Sequence, residues 1–390
     1  MKKKILIIGP INDFGGRELE SGFIASVLSS KCEVSICTTE TVTDKSQVFD
    51  FNKDLIVFSV KELLFNRYWI IKLLAFFSFF KNSCKGKASN YVNNALAKKR
   101  TDYDKKVQTV LEELVSDYDA VFIIAQLSSE LVNDVIRIAK SKKIKVLFRT
   151  TGTIGFSDYE FINSVDCFIH HSVNNADKIV KTKNHKFTII DQCAYNEKDL
   201  LNIPITEKEI SNFLILSRLS PEKGIEETID FFLRVSSQKD MLFIGGNGVL
   251  ESYLKTKYEK SENIKFLGFL NGTDLSDLFK VIDCLIIPSP EESGPLVGIE
   301  SMCAGKIVIS TRVGAMHERM QETLNDFWFE YGNFESFKKV FLEIKGLNDS
   351  EVRKISTSLR GKYIKEYSIQ EIGNQYLRVI TEVYGNKFYK

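Results

Sequence analysis

The feature of this 390-residue chain that most limits its fold is a series of twelve short apolar runs, each the length of one strand. Seven lie in the first half, at 4–9, 32–38, 54–60, 120–126, 144–150, 165–171 and 185–191. Five follow, at 211–217, 239–246, 263–269, 283–289 and 305–310. Runs that are apolar throughout, rather than alternating, belong to strands buried on both faces, and the helix-length segments between them supply the cover. The expectation is an α/β protein built on parallel, doubly wound sheets. The series restarts after the polar stretch 200–210, which holds Pro204 and reads as an interdomain linker. Length agrees, since the chain suits two domains of about 150–200 residues each. The first is expected over 1–203 and the second over 204–369. Residues 370–390 have helical apolar spacing and are expected to pack back on the first domain. In such folds ligands lie at the carboxyl ends of the strands, here in a central cleft that the two domains face.

Composition narrows the function classes. Hydrophobic residues at 44% and charged residues at 27% are ordinary for a globular protein. Lys+Arg 53 against Asp+Glu 51 gives no overall field that would favour nucleic acid. The charge is unevenly spread, with twelve Lys/Arg against four Asp/Glu between Phe51 and Lys106. Seven cysteines are dispersed, without CxxC or metal-ligand spacing, and read as reduced core thiols. The N-terminal apolar run, Ile5 to Ile8, is shorter than the roughly 7–15 residues of a signal h-region. No run reaches the roughly 18–20 apolar residues of a membrane span, and the dispersed thiols make the expected location cytoplasmic.

Three segments carry candidate chemistry. In "FLILSRLSPEKGIEETIDFF" (213–232) a strand ends at Ser217, Arg218 and Lys223 project from the loop, and a helix begins near Ile225. Two cations between a strand end and a helix N-terminus suit a diphosphate, through the guanidinium fork, a lysine point charge and the helix dipole. A solvated loop is the alternative. After the first strand, Gly15 and Gly16 precede a helix and allow backbone amides to approach an anion or a sugar. The pattern is not GxGxxG, which argues against a nicotinamide site. In "SPEESGPLVGIESMCAGKIVIS" (289–310), Pro295 suits the first turn of a helix that Gly305 ends. Glu292 then precedes that helix and Glu300 lies in its second turn, where carboxylates can accept hydrogen bonds from sugar hydroxyls beside a phosphate. A cap acid and an exposed helix acid are the plainer reading of the same pair.

In order and spacing these segments resemble the retaining GT-B glycosyltransferases with the E-x7-E motif. "SRLSPEKG" is similar to their "GRLxxEKG", "NIKFLGFL" to their "NVxFLG", and the Gly15-Gly16 turn to their first glycine loop. The resemblance implies two Rossmann-like domains and transfer with retention, without a metal or other cofactor. It implies that Arg218 and Lys223 hold the donor diphosphate, Glu300 the ribose and Glu292 the donor sugar. It further implies support from Gly294, Pro295, Leu296 and Val297, with Gly268 and Phe269 at the base. The family's usual histidine after the fifth strand is absent from "RTTGTIG" (149–155), so Arg149, Thr150 and Thr151 are acceptor-side candidates. His170 and His171, at the end of the next strand, are either structural or directed at the ligand. Competing functions on the same architecture are a nucleotide-sugar epimerase and a non-catalytic nucleotide-sugar-binding module.

Segment 61–87 mixes seven aromatic residues with Arg67, Lys72, Lys81, Lys85 and Lys87. It suits a helix lying in a membrane interface, or a core helix followed by a solvated loop. Taken together, the sequence points to transfer of a hexose-type sugar from a nucleotide-diphosphate donor to a glycan acceptor. The acceptor is expected to be lipid-linked, at the inner leaflet, in bacterial surface polysaccharide assembly (O-antigen, capsule or lipopolysaccharide). The protein is expected to sit peripherally on the cytoplasmic face of the membrane.

Overall fold

The structure, a computed structural model, describes residues 2–152, 154–155, 159–180 and 185–385. All twelve apolar runs form strands. The first seven are β1 (Lys4–Gly9), β2 (Glu33–Thr38), β3 (Ile56–Ser59), β4 (Ala120–Ala125), β5 (Lys145–Thr150), β6 (Cys167–His170) and β7 (Phe187–Ile189). They make one parallel sheet in the order β3-β2-β1-β4-β5-β6-β7. The other five are β8 (Asn212–Leu216), β9 (Met241–Gly245), β10 (Ile264–Gly268), β11 (Cys284–Ile287) and β12 (Ile307–Ser310). These make a second parallel sheet in the order β10-β9-β8-β11-β12. In each sheet the order reverses beside the first strand, between β1 and β4 and between β8 and β11. The loops leaving those strands diverge to opposite faces there, which opens a crevice at their carboxyl ends.

The chain forms two compact units. One comprises Met1–His170, Ala176–Ile190 and Gly373–Lys390, and the other His171–Asn175 and Asp191–Ile372. The second unit thus begins ahead of the expected boundary at 203. The reason is apolar burial: Ala194, Leu200, Ile203 and Ile210 all belong to the second core, so the polar stretch 200–210 is folded into that unit. Each sheet has its own core, with Leu6, Ile8, Val121, Ile123 and Phe148 in the first and Phe213, Leu214, Leu285 and Val308 in the second. Fully burying a side chain of this size stabilises by about 1.5–3 kcal/mol. The helix Ile369–Tyr384 covers most of the expected C-terminal segment, while residues 386–390 lie outside the described residues. From Gly373 on it counts with the first unit, where Tyr376 packs on Phe23 and Phe122 at ring-centroid distances of 6.4 and 6.2 Å.

Four helices of the first unit matter below. α1 (Gly16–Ser29) follows β1; α2 (Val60–Arg67) and α3 (Trp69–Lys81) follow β3; α4 (Ala95–Arg100) follows them. α2 starts with a capping box, in which Ser59 accepts from the Glu62 amide and Glu62 accepts from the Ser59 amide. The pair α2–α3 has the length and apolarity of a span but is bent by 113°, and no single described helix is long and apolar enough to cross a membrane. Cys84 is exposed and Cys167 partly so, against the expectation of core thiols; the other five cysteines are buried.

Candidate functional site

The site is built where the second sheet reverses order. Loop 217–224 leaves β8 and loop 288–295 leaves its neighbour β11, so parallel pairing alone delivers both to one crevice. Gly224 joins them. It sits in the left-handed region at φ 65°, and a Cβ there would come within 2.8 Å of the Pro288 carbonyl oxygen. The Lys223 ammonium bonds Glu292 Oε1. Both side chains are largely buried, so the pair is only weakly screened. Ser289 Oγ also donates to Glu292 Oε1, at 2.9 Å. Arg218 is exposed on the same loop as Lys223.

The glycine-rich turn after β9 shapes the Arg218 loop from its other side. Leu219 N donates to the Asn247 carbonyl at 2.8 Å, and a Cβ on Gly246 would stand 1.9 Å from the Ser217 carbonyl oxygen. The role of this turn is backbone packing. The Gly268 turn ends β10 and its carbonyl accepts from Gly246 N at 2.7 Å, while Phe269 beside it is exposed.

The helix Leu296–Ala304 follows the β11 loop and ends at Gly305, as its sequence indicates. Pro295 stands one position ahead of its first turn, as the N-cap. The first amides of the helix lack intrahelical acceptors and carry the positive end of its dipole. Glu300 lies on the second turn and is 5% exposed. Burial pushes its carboxyl up to about 7, from an ordinary 4.5. It is therefore a buried acid rather than an exposed helix acid.

Sequence reasoning missed Arg319, Asp191 and Asn175, which hold this loop beside the already noted His171. Arg319, fully buried, donates from Nε and Nη2 to Asp191 at 2.7 and 2.6 Å, and from Nη1 to the Pro295 carbonyl at 2.6 Å. Burial alone would raise the Asp191 carboxyl, but the Arg319 guanidinium outweighs it and holds the group well below the usual carboxylate range. His171 Nδ1 stands 3.7 Å from Asp191, and Asn175 Nδ2 donates to the Ser293 carbonyl at 2.8 Å. A Cβ at Gly294 would meet Arg319 and His171 at 3.0 and 3.1 Å, so that position is closely walled. The only sequence signal was the placement of Asp191 and His171 at strand ends; Arg319 lies 128 residues from Asp191.

In the first unit the structure redirects the acceptor-side candidates. The Arg149 guanidinium is fully buried, and its Nε and Nη2 donate to Glu20 Oε1 at 2.9 and 2.6 Å. It is a core ion pair tying β5 to α1 rather than a group turned to a ligand. Thr150 is buried against His170, with Oγ1 at 2.8 Å from Nδ1, and His170 Nε2 lies 3.3 Å from His185 Nε2. Thr151 Oγ1 accepts from Arg17 Nε at 3.2 Å, which joins the end of β5 to the first turn of α1. The Gly15 amide, at that helix start, donates to Gln47 Oε1 at 2.8 Å. Gly15, Gly16, Arg17 and Thr151 thus gather at the carboxyl ends of β1 and β5, and Arg17 is a further residue the sequence did not single out.

Two parallel sheets, each reversing order beside its first strand, define the GT-B architecture. It is shared by a solved structure of Anabaena HepE in complex with UDP and glucose. That protein is 14% identical, with a TM-score of 0.71 over 97% of this chain and 100% of that one. Residues 202–356 match the model of the family glycosyl transferases group 1. Among curated proteins, the chain is 33% identical over 119 residues to an uncharacterized glycosyltransferase of Methanocaldococcus jannaschii. It is 24% identical over 165 residues to the UDP-Gal:alpha-D-GlcNAc-diphosphoundecaprenol alpha-1,3-galactosyltransferase of Escherichia coli. The match spans 30% of the length of the first protein and 42% of the second.

Proposed function

We propose that this chain is a retaining glycosyltransferase. It moves a hexose-type sugar from a nucleotide-diphosphate donor to a glycan acceptor in bacterial surface polysaccharide assembly. The observation that carries this reading is the Lys223–Glu292 ion pair, which joins the two loops at the order reversal of the second sheet. The ammonium has three donors and Glu292 takes one, so two remain for phosphate oxygens. Arg218 adds a guanidinium fork on the same loop, and the amides of Gly294 to Val297 add the positive end of a helix. Glu292 and Glu300 accept hydrogen bonds from the sugar and ribose hydroxyls, with Gly268 and Phe269 at the base.

In this reading the bond from the sugar's anomeric carbon to the diphosphate oxygen breaks while the acceptor oxygen bonds to the same face of that carbon. The acceptor's proton passes to the departing diphosphate oxygen. Charge develops on the diphosphate, and Arg218, Lys223 and the helix terminus stabilise it there without a metal. The relative bound to UDP and glucose supports the donor class, and the Escherichia coli relative, named for a diphosphoundecaprenol substrate, supports a lipid-linked acceptor. For such an acceptor the chain would work at the inner leaflet of a membrane, with segment 61–87 as the proposed contact.

A thermal-shift screen of UDP-, GDP- and dTDP-sugars, followed by transfer assays, tests the proposal. One donor class is expected to stabilise the protein, and Glu292→Gln to abolish transfer while leaving donor binding measurable. Donor conversion without any acceptor, or wild-type turnover in Glu292→Gln, would overturn it.

A further inference from the structure

Segment 61–87 contains one surface whose exposure the core does not explain. α3 packs inward through Ile71 and Ala75, which have no exposed surface. Its outward face carries Trp69, Leu73, Phe77 and Phe80 at 74, 61, 61 and 65% exposure, with Ile70 and Phe76 at its margins. The steps of four, four and three residues place these side chains in one stripe along a helix about 20 Å long. A contiguous aromatic stripe in water is unfavourable unless something covers it.

The charge around the stripe identifies what does. Between Leu63 and Thr101 the sequence holds eight Lys/Arg and no Asp or Glu. Arg67 is paired with Glu113 and Lys87 with Glu62, both from outside that interval. Lys72, Lys81, Lys85, Lys98, Lys99 and Arg100 have no ion pair among the described residues. α4 brings the last three beside α3, joined through Asn94 Nδ2 donating to the Leu74 carbonyl at 3.3 Å. Leu96, 45% exposed, adds to the apolar surface. A second copy of the chain would bring like-charged rims together, whereas an anionic bilayer offers apolar depth under a negative surface.

We propose that α3 lies in the interface of an anionic membrane, with Trp69, Leu73, Phe77 and Phe80 below the headgroups and the cations of α3 and α4 against anionic lipid. The inference deepens the assignment of segment 61–87 as a membrane contact and is independent of the transfer chemistry. The 113° bend between α2 and α3 lets α3 lie along a surface while α2 stays on the first unit. Burial of an aromatic stripe and attraction of basic side chains add, so binding depends on both.

The test uses the full chain carrying Trp328→Phe, which leaves Trp69 as the sole tryptophan. With vesicles of phosphatidylcholine mixed with phosphatidylglycerol, Trp69 emission should shift to the blue and be quenched by brominated lipid, less so as salt rises. Leu73→Ser combined with Phe77→Ser should weaken vesicle binding at least about tenfold. Each of Lys98→Gln, Lys99→Gln and Arg100→Gln should cost about fivefold. Unquenched Trp69 on these vesicles, equal binding to phosphatidylcholine alone, or self-association that covers Trp69 without lipid would overturn the proposal. Transfer to a water-soluble acceptor by the Leu73→Ser, Phe77→Ser variant separates the two readings, since it should persist when vesicle binding is lost.

Discussion

A carboxyl group raised to about 7 makes Glu300 the residue through which pH enters the site. The folded chain holds its proton more tightly than an unfolded chain, where the value is near 4.5. Stability from this group is therefore present below about 4.5 and is lost as pH rises through about 7, by about 3 kcal/mol in all. Glu300→Gln should remove that slope, so that urea unfolding of the second unit changes less between pH 5 and 8 than in the native chain. In the proposed reaction the ribose hydroxyls donate to the carboxylate, so donor affinity should fall as pH drops below about 7, by up to tenfold per unit. Calorimetric titration of the donor across that range checks it, and a flat profile would remove Glu300 from the ribose site. Lys223→Ala should weaken donor binding by about 1.5–3 kcal/mol, the usual loss of a charged hydrogen bond. Arg218, Lys223, Glu292 and Glu300 were all legible as candidates, because loops at strand ends and acids around a helix start have local signatures. Their mutual contacts were not. That Glu292 grips Lys223 across 69 residues depends on which strands are neighbours.

At the level of elements, the twelve strands could be read from composition because each is buried on both faces and must be apolar throughout. The helix Leu296–Ala304 was legible for a different reason: Gly305 tolerates the left-handed turn that ends it. What fixes the angle at which this helix starts was invisible, since the Pro295 carbonyl is held by Arg319 and Arg319 by Asp191. Replacing Arg319 by Ala leaves a buried carboxylate unpaired. It should destabilise the second unit by about 3–5 kcal/mol in urea unfolding, with loss of donor binding below the unfolding transition. Native-like stability of Arg319→Ala would show that the pair does not hold the loop. Arg149 teaches the converse. Where the resembled family carries a histidine it is an acceptor-side candidate, yet Glu20 on α1 draws it into the core.

For the molecule as a whole, the C-terminal segment decides which unit is complete. Tyr376, Val379 and Ile380 are buried in the first unit although the preceding helices belong to the second. A chain stopped after Ile372 should lose about 1.5–3 kcal/mol for each of these side chains from the first unit. In scanning calorimetry the transition of that unit should move down or vanish, while that of the second stays in place. Two unshifted transitions would show that the segment is dispensable.

The sequence by itself determined two parallel α/β sheets, the strands that form them and the loops on which donor chemistry is expected. It could do so because strand burial, helix ends and strand-end cations are written in neighbouring residues. Tertiary structure alone decided that Glu20 claims Arg149, that Asp191 and Arg319 brace the Glu292 loop, and that residues 191–203 fold with the second unit. It also decided that one face of α3 stays uncovered. Those outcomes depend on which distant segments meet, and an ion pair or a buried face has no signature until both partners are in place.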